Sequence, residues 1–482
     1  MKKKAILITA IAWSCMNAAS VNAQQAATTT QKLIALQHGA HHIGRRTDAT
    51  MEKWRAYGLG QFIHWGLYSI PAGEWKGKQY NGAAEWIKSW KEVSAAAYDS
   101  LMYQFNPTKF NAESWAETAK QMGVKYVTIT TKHHDGFCLW PSKYTNFTVA
   151  NSPYKKDIIG PLVNAYDKRG IDVILYFSIM DWHNPDWRYD IKTREDSIAF
   201  DRFKQFTRNQ LLELLTLYPS AKGLWFDGTW DKSWVKQAAF ADSLEKEMRA
   251  MHPGLIIGSR FRADEHGKRH FDSNGNMMGD YEQGWERKIP EKIADVHGND
   301  WDCVMTVPEN QWGYSKVWRG HIKTTDELLE MLAKCVSLDG NFVLNFGPKP
   351  DGTLRTEELD LAKGIGAWMD ANSEAIYNGE YAGLVKQDWG YYIKKTGTNK
   401  IYMLVFNVPV SGALNVVMPS HTAIAKAYDL GKPGQNYAPE EIGTSVYFIH
   451  LKQQSFKRPF VIVIETTDSG KNSGAQYQKA KT

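Results

Sequence analysis

Short apolar stretches alternate with helix-like ones through most of this chain, which limits it to architectures where parallel strands are joined by helical crossovers. After a polar lead to about Asp48, strand-like stretches fall at 61–65, 124–130, 171–177, 223–227, 255–260, 278–281, 303–307 and 341–346. Helix signals separate them. Asn111 reads as an N-cap and Gly123 as a stop, Gly170 ends the next helix, and Leu211, Leu212 and Leu215 form the apolar face of a long one up to Tyr218. Further helices are expected at 234–251, 324–338 and 357–376. The pattern predicts an α/β fold, a (β/α)8-like barrel of the TIM type over 30–378. From Gly379 the crossovers stop, and alternating strands at 389–395, 400–408, 412–418, 445–451 and 458–466 predict a C-terminal antiparallel β-sandwich over 379–467, followed by a disordered tail at 468–482.

A chain of 482 residues, 43% hydrophobic and 23% charged, is long and apolar enough for a large domain with a smaller one attached. Residues 1–23 have the parts of a secretory signal peptide: Lys2 to Lys4, an apolar run, then Val21-Asn22-Ala23. Secretion across an inner membrane, into a periplasm, is the expected localisation. Losing those three lysines lowers the formal charge from +6 to +3, so no nucleic-acid partner is expected. No other apolar run approaches the roughly 20 residues of a membrane span. Cys138, Cys303 and Cys335 show no paired spacing and read as buried thiols. Nothing in the sequence specifies an oligomeric state.

Barrel active sites are built at the carboxyl ends of the strands. Here the strands end on His64-Trp65, on His133-His134-Asp135, on Tyr176, on Asp227 and on Arg260, then on an acid-rich turn with Asp280, Glu282 and Glu286. Glu74, Trp75, Glu85 and Trp86 follow the first strand. Gly223-Leu224-Trp225-Phe226-Asp227 is a buried strand that lifts a carboxylate into a cleft, where Gly228 turns the chain and Trp225 and Trp230 flank the acid as aromatic faces do in a sugar pocket. His133-His134 invites a metal reading, but no further His or Cys stands at metal spacing, so no metal is expected. Neighbouring strand residues point opposite ways, so one of the two histidines is a candidate for core packing. Arg260 near an acid can hold a ligand oxygen or keep that acid ionised.

The chain resembles the α-L-fucosidases of glycoside hydrolase family 29. The resemblance rests on 62–75 (Phe62-Ile63-His64-Trp65-Gly66-Leu67-Tyr68 through Glu74-Trp75), Ala84-Glu85-Trp86, Tyr103-Gln104-Phe105-Asn106-Pro107, Thr131-Lys132-His133-His134-Asp135-Gly136-Phe137, Trp225-Phe226-Asp227-Gly228 and Trp312-Gly313-Tyr314, in the expected order. It implies a retaining exo-hydrolase of fucosylated oligosaccharides or glycoconjugates, without cofactor. It further implies Asp227 as nucleophile, with His64, Glu74, Trp86, His133, His134, Tyr176, Arg260 and Trp312 shaping the fucose pocket. The family's acid suggests Glu286, on the loop after the sixth strand and four residues before Pro290, with Trp285 beside it as an apolar surface; Glu282 and Asp302 are the other candidates. Fucose has no hydroxyl at its sixth carbon, so an apolar wall is expected, supplied by Trp86 and Trp312. The rival readings are another retaining hexosidase, such as an α-galactosidase, and a non-catalytic carbohydrate-binding barrel.

Overall fold

The computed structural model describes residues 45–432, 434–451 and 459–467. The expected signal peptide and tail lie outside the described residues.

Eight parallel strands form one sheet: β1 (Leu59–Ile63), β2 (Tyr126–Lys132), β3 (Asp172–Ser178), β4 (Gly223–Asp227), β5 (Ile256–Ile257), β6 (Glu282–Glu286), β7 (Trp301–Thr306) and β8 (Gly340–Phe346). Their order is β5-β4-β3-β2-β1-β8-β7-β6. The two edges then meet: Asp280 N donates to Ile257 O at 2.8 Å and Ser259 N to Tyr281 O at 3.0 Å, which curls the sheet into a barrel. Side chains alternate along each strand. Phe62, Tyr126, Tyr176, Trp225 and Tyr281 fill the interior, while Ile63, Val127, Leu175, Leu224 and Phe226 pack outward against the helices. Both faces of the central strands are therefore dry, which is why β3, β4 and β8 read as largely apolar runs.

The crossovers follow the capping signals. In α1 (Ala112–Met122) Asn111 accepts from Ser114 N, and Gly123 closes the helix in the left-handed region. Reciprocal capping boxes start α2 (Arg194–Leu217) at Thr193 and Asp196, and α3 (Thr325–Ser337) at Thr324 and Glu327. The last barrel helix is α4 (Thr356–Asn372).

Among the described residues nine strands follow: β9 (Gly379–Tyr381), β10 (Gly390–Lys395), β11 (Lys400–Val405), β12 (Ala413–Val417), β13 (Ile424–Asp429), β14 (Asn436–Tyr437), β15 (Pro439–Gly443), β16 (Val446–His450) and β17 (Phe460–Thr466). They form a six-stranded sheet, β9-β10-β11-β17-β13-β14, and a three-stranded one, β12-β16-β15. Met403, Val405, Ile462 and Ile464 face Leu414, Val416 and Ile449 of the smaller sheet, whereas Tyr402, Leu404, Val461 and Val463 join the core under the barrel helices. The larger sheet is thus buried on both faces. Trp368 of α4 donates to Pro459 O at 2.9 Å across this junction.

Two expectations need correction. The sixth strand lies at Glu282–Glu286 rather than 278–281, and the fifth keeps only Ile256–Ile257 of the expected 255–260. Residues 278–281 instead supply the backbone groups that close the barrel. In the sandwich, β13 carries no strand signal of its own, because Ile424-Ala425-Lys426-Ala427 is poor in β-formers; its place beside β17 makes it a strand.

Candidate active site

A pocket of about 260 Å³ opens at the carboxyl ends of the barrel strands, lined by Phe62, His64, Ala83, Glu85, Trp86, His133, His134, Trp225, Asp227, Trp230, Glu286, Arg287 and Trp312. Asp227 is the last residue of β4. Gly228 follows at φ +63°, and a Cβ on it would stand 2.5 Å from Met180 Cβ, so only glycine lets the chain turn here. Tyr176 donates to Asp227 Oδ2 at 2.8 Å, and Arg260 Nη1 lies 3.3 Å from Oδ1. Burial works against charge on Asp227, but His134, Arg260, the Tyr176 hydroxyl and the Gly228 N–H outweigh it and hold the carboxyl below its usual range.

The same guanidinium reaches a second acid. Arg260 Nη2 donates to Glu286 Oε2 at 2.6 Å, while Arg260 Nε is fixed on Gln283 O at 2.9 Å. One arginine thus contacts the carboxyls at the ends of both β4 and β6. Glu286 stands at the end of β6, not on a loop beyond it. Trp285 is not beside its carboxyl either: it packs 6.3 Å from Trp301 on the outer face, as strand alternation requires. Charges face Glu286 instead, with Arg287 Nη2 at 3.5 Å from Oε1.

The histidines present acceptors. Asn345 Nδ2 donates to Trp312 O, which leaves Asn345 Oδ1 to accept from His64 Nδ1 at 2.6 Å. Ser178 Oγ donates to Met180 O and so accepts from His134 Nδ1 at 2.6 Å. Each ring carries a proton on Nδ1; His64 keeps Nε2 for a ligand hydroxyl, while His134 Nε2 faces Asp227 Oδ2 at 3.7 Å. Burial pushes His64 down to about 4, against the pull of Asn345 and Asp227, and also lowers His134. His133 lines the pocket too, its ring parallel to Tyr176 at 5.6 Å. The expectation that one member of the pair packs away fails because both lie beyond the end of β2, where strict alternation stops. Behind them, buried Lys132 bonds Asp181 at 2.9 Å and Gln210 at 3.0 Å, and Asp181 Oδ1 takes the N–H groups of His183 and Asn184, fixing the turn that carries Trp182.

Of the residues expected here, His64, Trp86, His133, His134, Asp227, Glu286 and Trp312 line the pocket. Tyr176 and Arg260 stand behind the carboxyls and touch these rather than the open space. Glu74 does not belong: it sits in a small hairpin with Lys78–Gln79 and faces Lys316 at 3.5 Å. Glu85, eleven residues on, takes that place. It is buried, Oε2 accepts from Gly313 N at 3.0 Å, Oε1 has no partner, and burial pushes its pKa up to about 7 against that N–H. The signal in the sequence is Glu85's place directly beside Trp86. Glu282 lies near Trp285 and outside the pocket; Asp302 is buried inside the barrel near Tyr126, its pKa raised to about 8 by that burial. His133, His134 and Asp227 bring three ligand-type atoms within 4.8 Å of one another, but Arg260 already holds positive charge against that carboxylate.

Paired acids at the open end of a barrel, with hydroxyl acceptors on one side and indoles on the other, define a glycoside hydrolase. The family model described as alpha-L-fucosidase matches residues 27–374. The chain is 51% identical to a glycoside hydrolase family 29 α-L-fucosidase of Bacteroides thetaiotaomicron, covering 90% of this chain and 99% of that one with a TM-score of 0.87; that enzyme was trapped as a covalent intermediate with 2-fluoro-fucosyl fluoride in a Glu-to-Gln mutant. It is 28% identical to α-L-fucosidase isoenzyme 1 of Paenibacillus thiaminolyticus, over 87% and 99% of the two chains at a TM-score of 0.74. Rat tissue α-L-fucosidase is 27% identical over 78% of this chain and 80% of its own. The chain belongs to the α-L-fucosidase family.

Proposed function

We propose that Asp227 is the nucleophile and Glu286 the acid/base of this α-L-fucosidase, which releases terminal α-L-fucosyl groups by double displacement through a covalent fucosyl-enzyme intermediate. The observation that carries the assignment is the Arg260 bridge between the two carboxyls. Asp227, kept ionised, attacks the anomeric carbon while Glu286 gives its proton to the departing oxygen. Glu286 then takes a proton from the water that attacks the same carbon, and Asp227 leaves. Two inversions restore the α configuration.

His64, His134 and Glu85 are assigned to the sugar hydroxyls, and Phe62, Trp86 and Trp312 to the apolar side that receives the methyl group of fucose. Fucosylated oligosaccharides or glycoconjugates are the proposed substrates. Residues 1–23 support export to a periplasm, and the change of architecture at Gly379 supports a separate β-sandwich domain. Among the described residues, no helix is long and apolar enough to cross a membrane.

Labelling with 2-fluoro-fucosyl fluoride followed by peptide mass mapping tests the assignment. The label is expected on the peptide containing Asp227, and proton NMR of early hydrolysis is expected to show α-fucose first. A label on another acid, or β-fucose first, overturns it.

A further inference from the structure

Strand β6 does not run in step with its neighbour. Glu282 stands opposite Trp301 and Trp285 opposite Cys303, so β6 has two residues, Gln283 and Gly284, where β7 has only Asp302. This is a β-bulge. Trp301 packs outward against the helices, and strict alternation from its partner Glu282 would turn Glu286 outward as well. The extra residue reverses that parity: Trp285 takes the outer face, and Glu286, opposite Val304, faces the pocket.

A bulge residue drops out of the ladder, so its polar groups need partners elsewhere. Gln283, 2% exposed, finds most of them beyond the end of β5. Its N–H donates to Ser259 Oγ at 3.0 Å, its carbonyl accepts from Arg260 Nε at 2.9 Å and its Oε1 accepts from the Arg260 N–H at 3.3 Å. Nε2 donates to the Tyr281 hydroxyl at 3.0 Å. Gly258 makes room for this amide: a Cβ there would stand 2.0 Å from Gln283 Cδ, and the three atoms nearest to it all belong to the Gln283 side chain.

We propose that Gln283 is a positioning residue for the acid/base: it locks the bulge that turns Glu286 into the pocket and fixes the arginine that contacts both acids. The inference rests on the roles assigned to Asp227 and Glu286 above. Arg260 is held by Gln283 at its backbone N–H and at Nε, so Nη1 and Nη2 reach Asp227 and Glu286 from a fixed base. A displaced Glu286 fails first where the leaving group needs a proton. General loosening of the barrel would slow all substrates alike.

The test compares an α-L-fucosyl-hexose disaccharide with α-L-fucosyl fluoride, whose leaving group departs with little help from an acid. Gln283→Ala is expected to lower kcat/KM about tenfold on the disaccharide and less than about threefold on the fluoride. Gly258→Ala, which removes no polar group and displaces the Gln283 amide, is expected to give the same selective loss. The double variant is expected within about twofold of Gln283→Ala, because the new methyl then has nothing to displace; it also fills part of the vacated space and carries the test if Gln283→Ala does not fold. Equal losses on both substrates, no loss on the disaccharide, or single losses that multiply in the double variant overturn the proposal. Glu286→Ala separates the two levels: if it discriminates between the substrates and the Gln283 and Gly258 variants do not, the positioning role alone fails, whereas no discrimination by Glu286→Ala removes the acid/base assignment and the positioning role with it.

Discussion

The two catalytic carboxyls stand on unlike parts of one barrel. Asp227 ends a strand whose pairing with β3 runs in unbroken register to Ser178 directly across from it, while β5 pairs with Gly223 and Leu224 on the other side, and the side chains around that wall are apolar inside and out. Glu286 ends an edge strand whose pairing with β7 slips between Glu282 and Trp285 and whose other side is closed by only two backbone bonds to the β5 segment. Charge holds this seam: buried Asp280 bonds Arg46 at 2.7 Å, Arg249 at 3.0 Å and the Ile257 N–H at 2.8 Å. The nucleophile needs one fixed position to attack a single carbon, and a strand end held in unbroken register by β3 supplies it. The acid/base serves two oxygens in turn, and a looser seam suits that task.

The strongest way to break this comparison is to remove the fixed member. Asp227→Ala is expected to lower kcat by roughly 10⁴-fold or more, and azide is expected to restore turnover as β-fucosyl azide. Weak loss would mean that another group attacks. Glu286→Ala comes next, with an expected fall of about 10²–10⁴-fold in kcat/KM on oligosaccharides and much less on activated aryl fucosides, azide giving the α product. Glu282→Gln, outside the pocket, is expected within about twofold of the parent; a large loss there would exchange the roles of the two glutamates.

Tyr176→Phe sharpens the electrostatic side of the contrast. The hydroxyl helps keep Asp227 below its usual pKa, so removing it raises that pKa, and the acidic limb of the kcat/KM profile is expected to move to higher pH. The loss is expected at about threefold near neutrality, growing as pH falls. An unmoved acidic limb would mean that the hydroxyl does not act on the nucleophile. The smallest expected effect on chemistry comes from the seam. A Cβ at Gly279 would stand 2.6 Å from the backbone of Gly258 and Ser259, so Gly279→Ala is expected to cost about 1–3 kcal/mol in a denaturant titration. A neutral result would show that the seam yields freely.

How much was legible divides along the same line. Gly223–Asp227 could be read residue for residue, because a strand buried on both faces writes its whole length in apolar residues and ends where a carboxylate appears. The helices between strands were legible from caps such as Asn111 and Gly123, whose effect is local. His64, His133, His134 and Trp86 could be named because strand ends in a barrel converge. The seam left no such trace: Glu282-Gln283-Gly284-Trp285-Glu286 has neither an apolar run nor clean alternation, and it is a strand because β7 lies beside it. The acid at the site of Glu74 was misassigned for the same reason, since two glutamates in one loop differ only in which one the folded chain buries.

By itself, then, the sequence determined the kinds of element, their order, the barrel they close into and the carboxylate at the end of β4, because these follow from periodicity, caps and turns within a few residues. The tertiary structure decided which acids meet, through an arginine reaching from beyond the end of β5 to both Asp227 and Glu286, and which buried acid, Glu85, lines the pocket with one carboxyl oxygen unpartnered. Those outcomes depend on distances between residues far apart in the chain, and only closure of the barrel sets them.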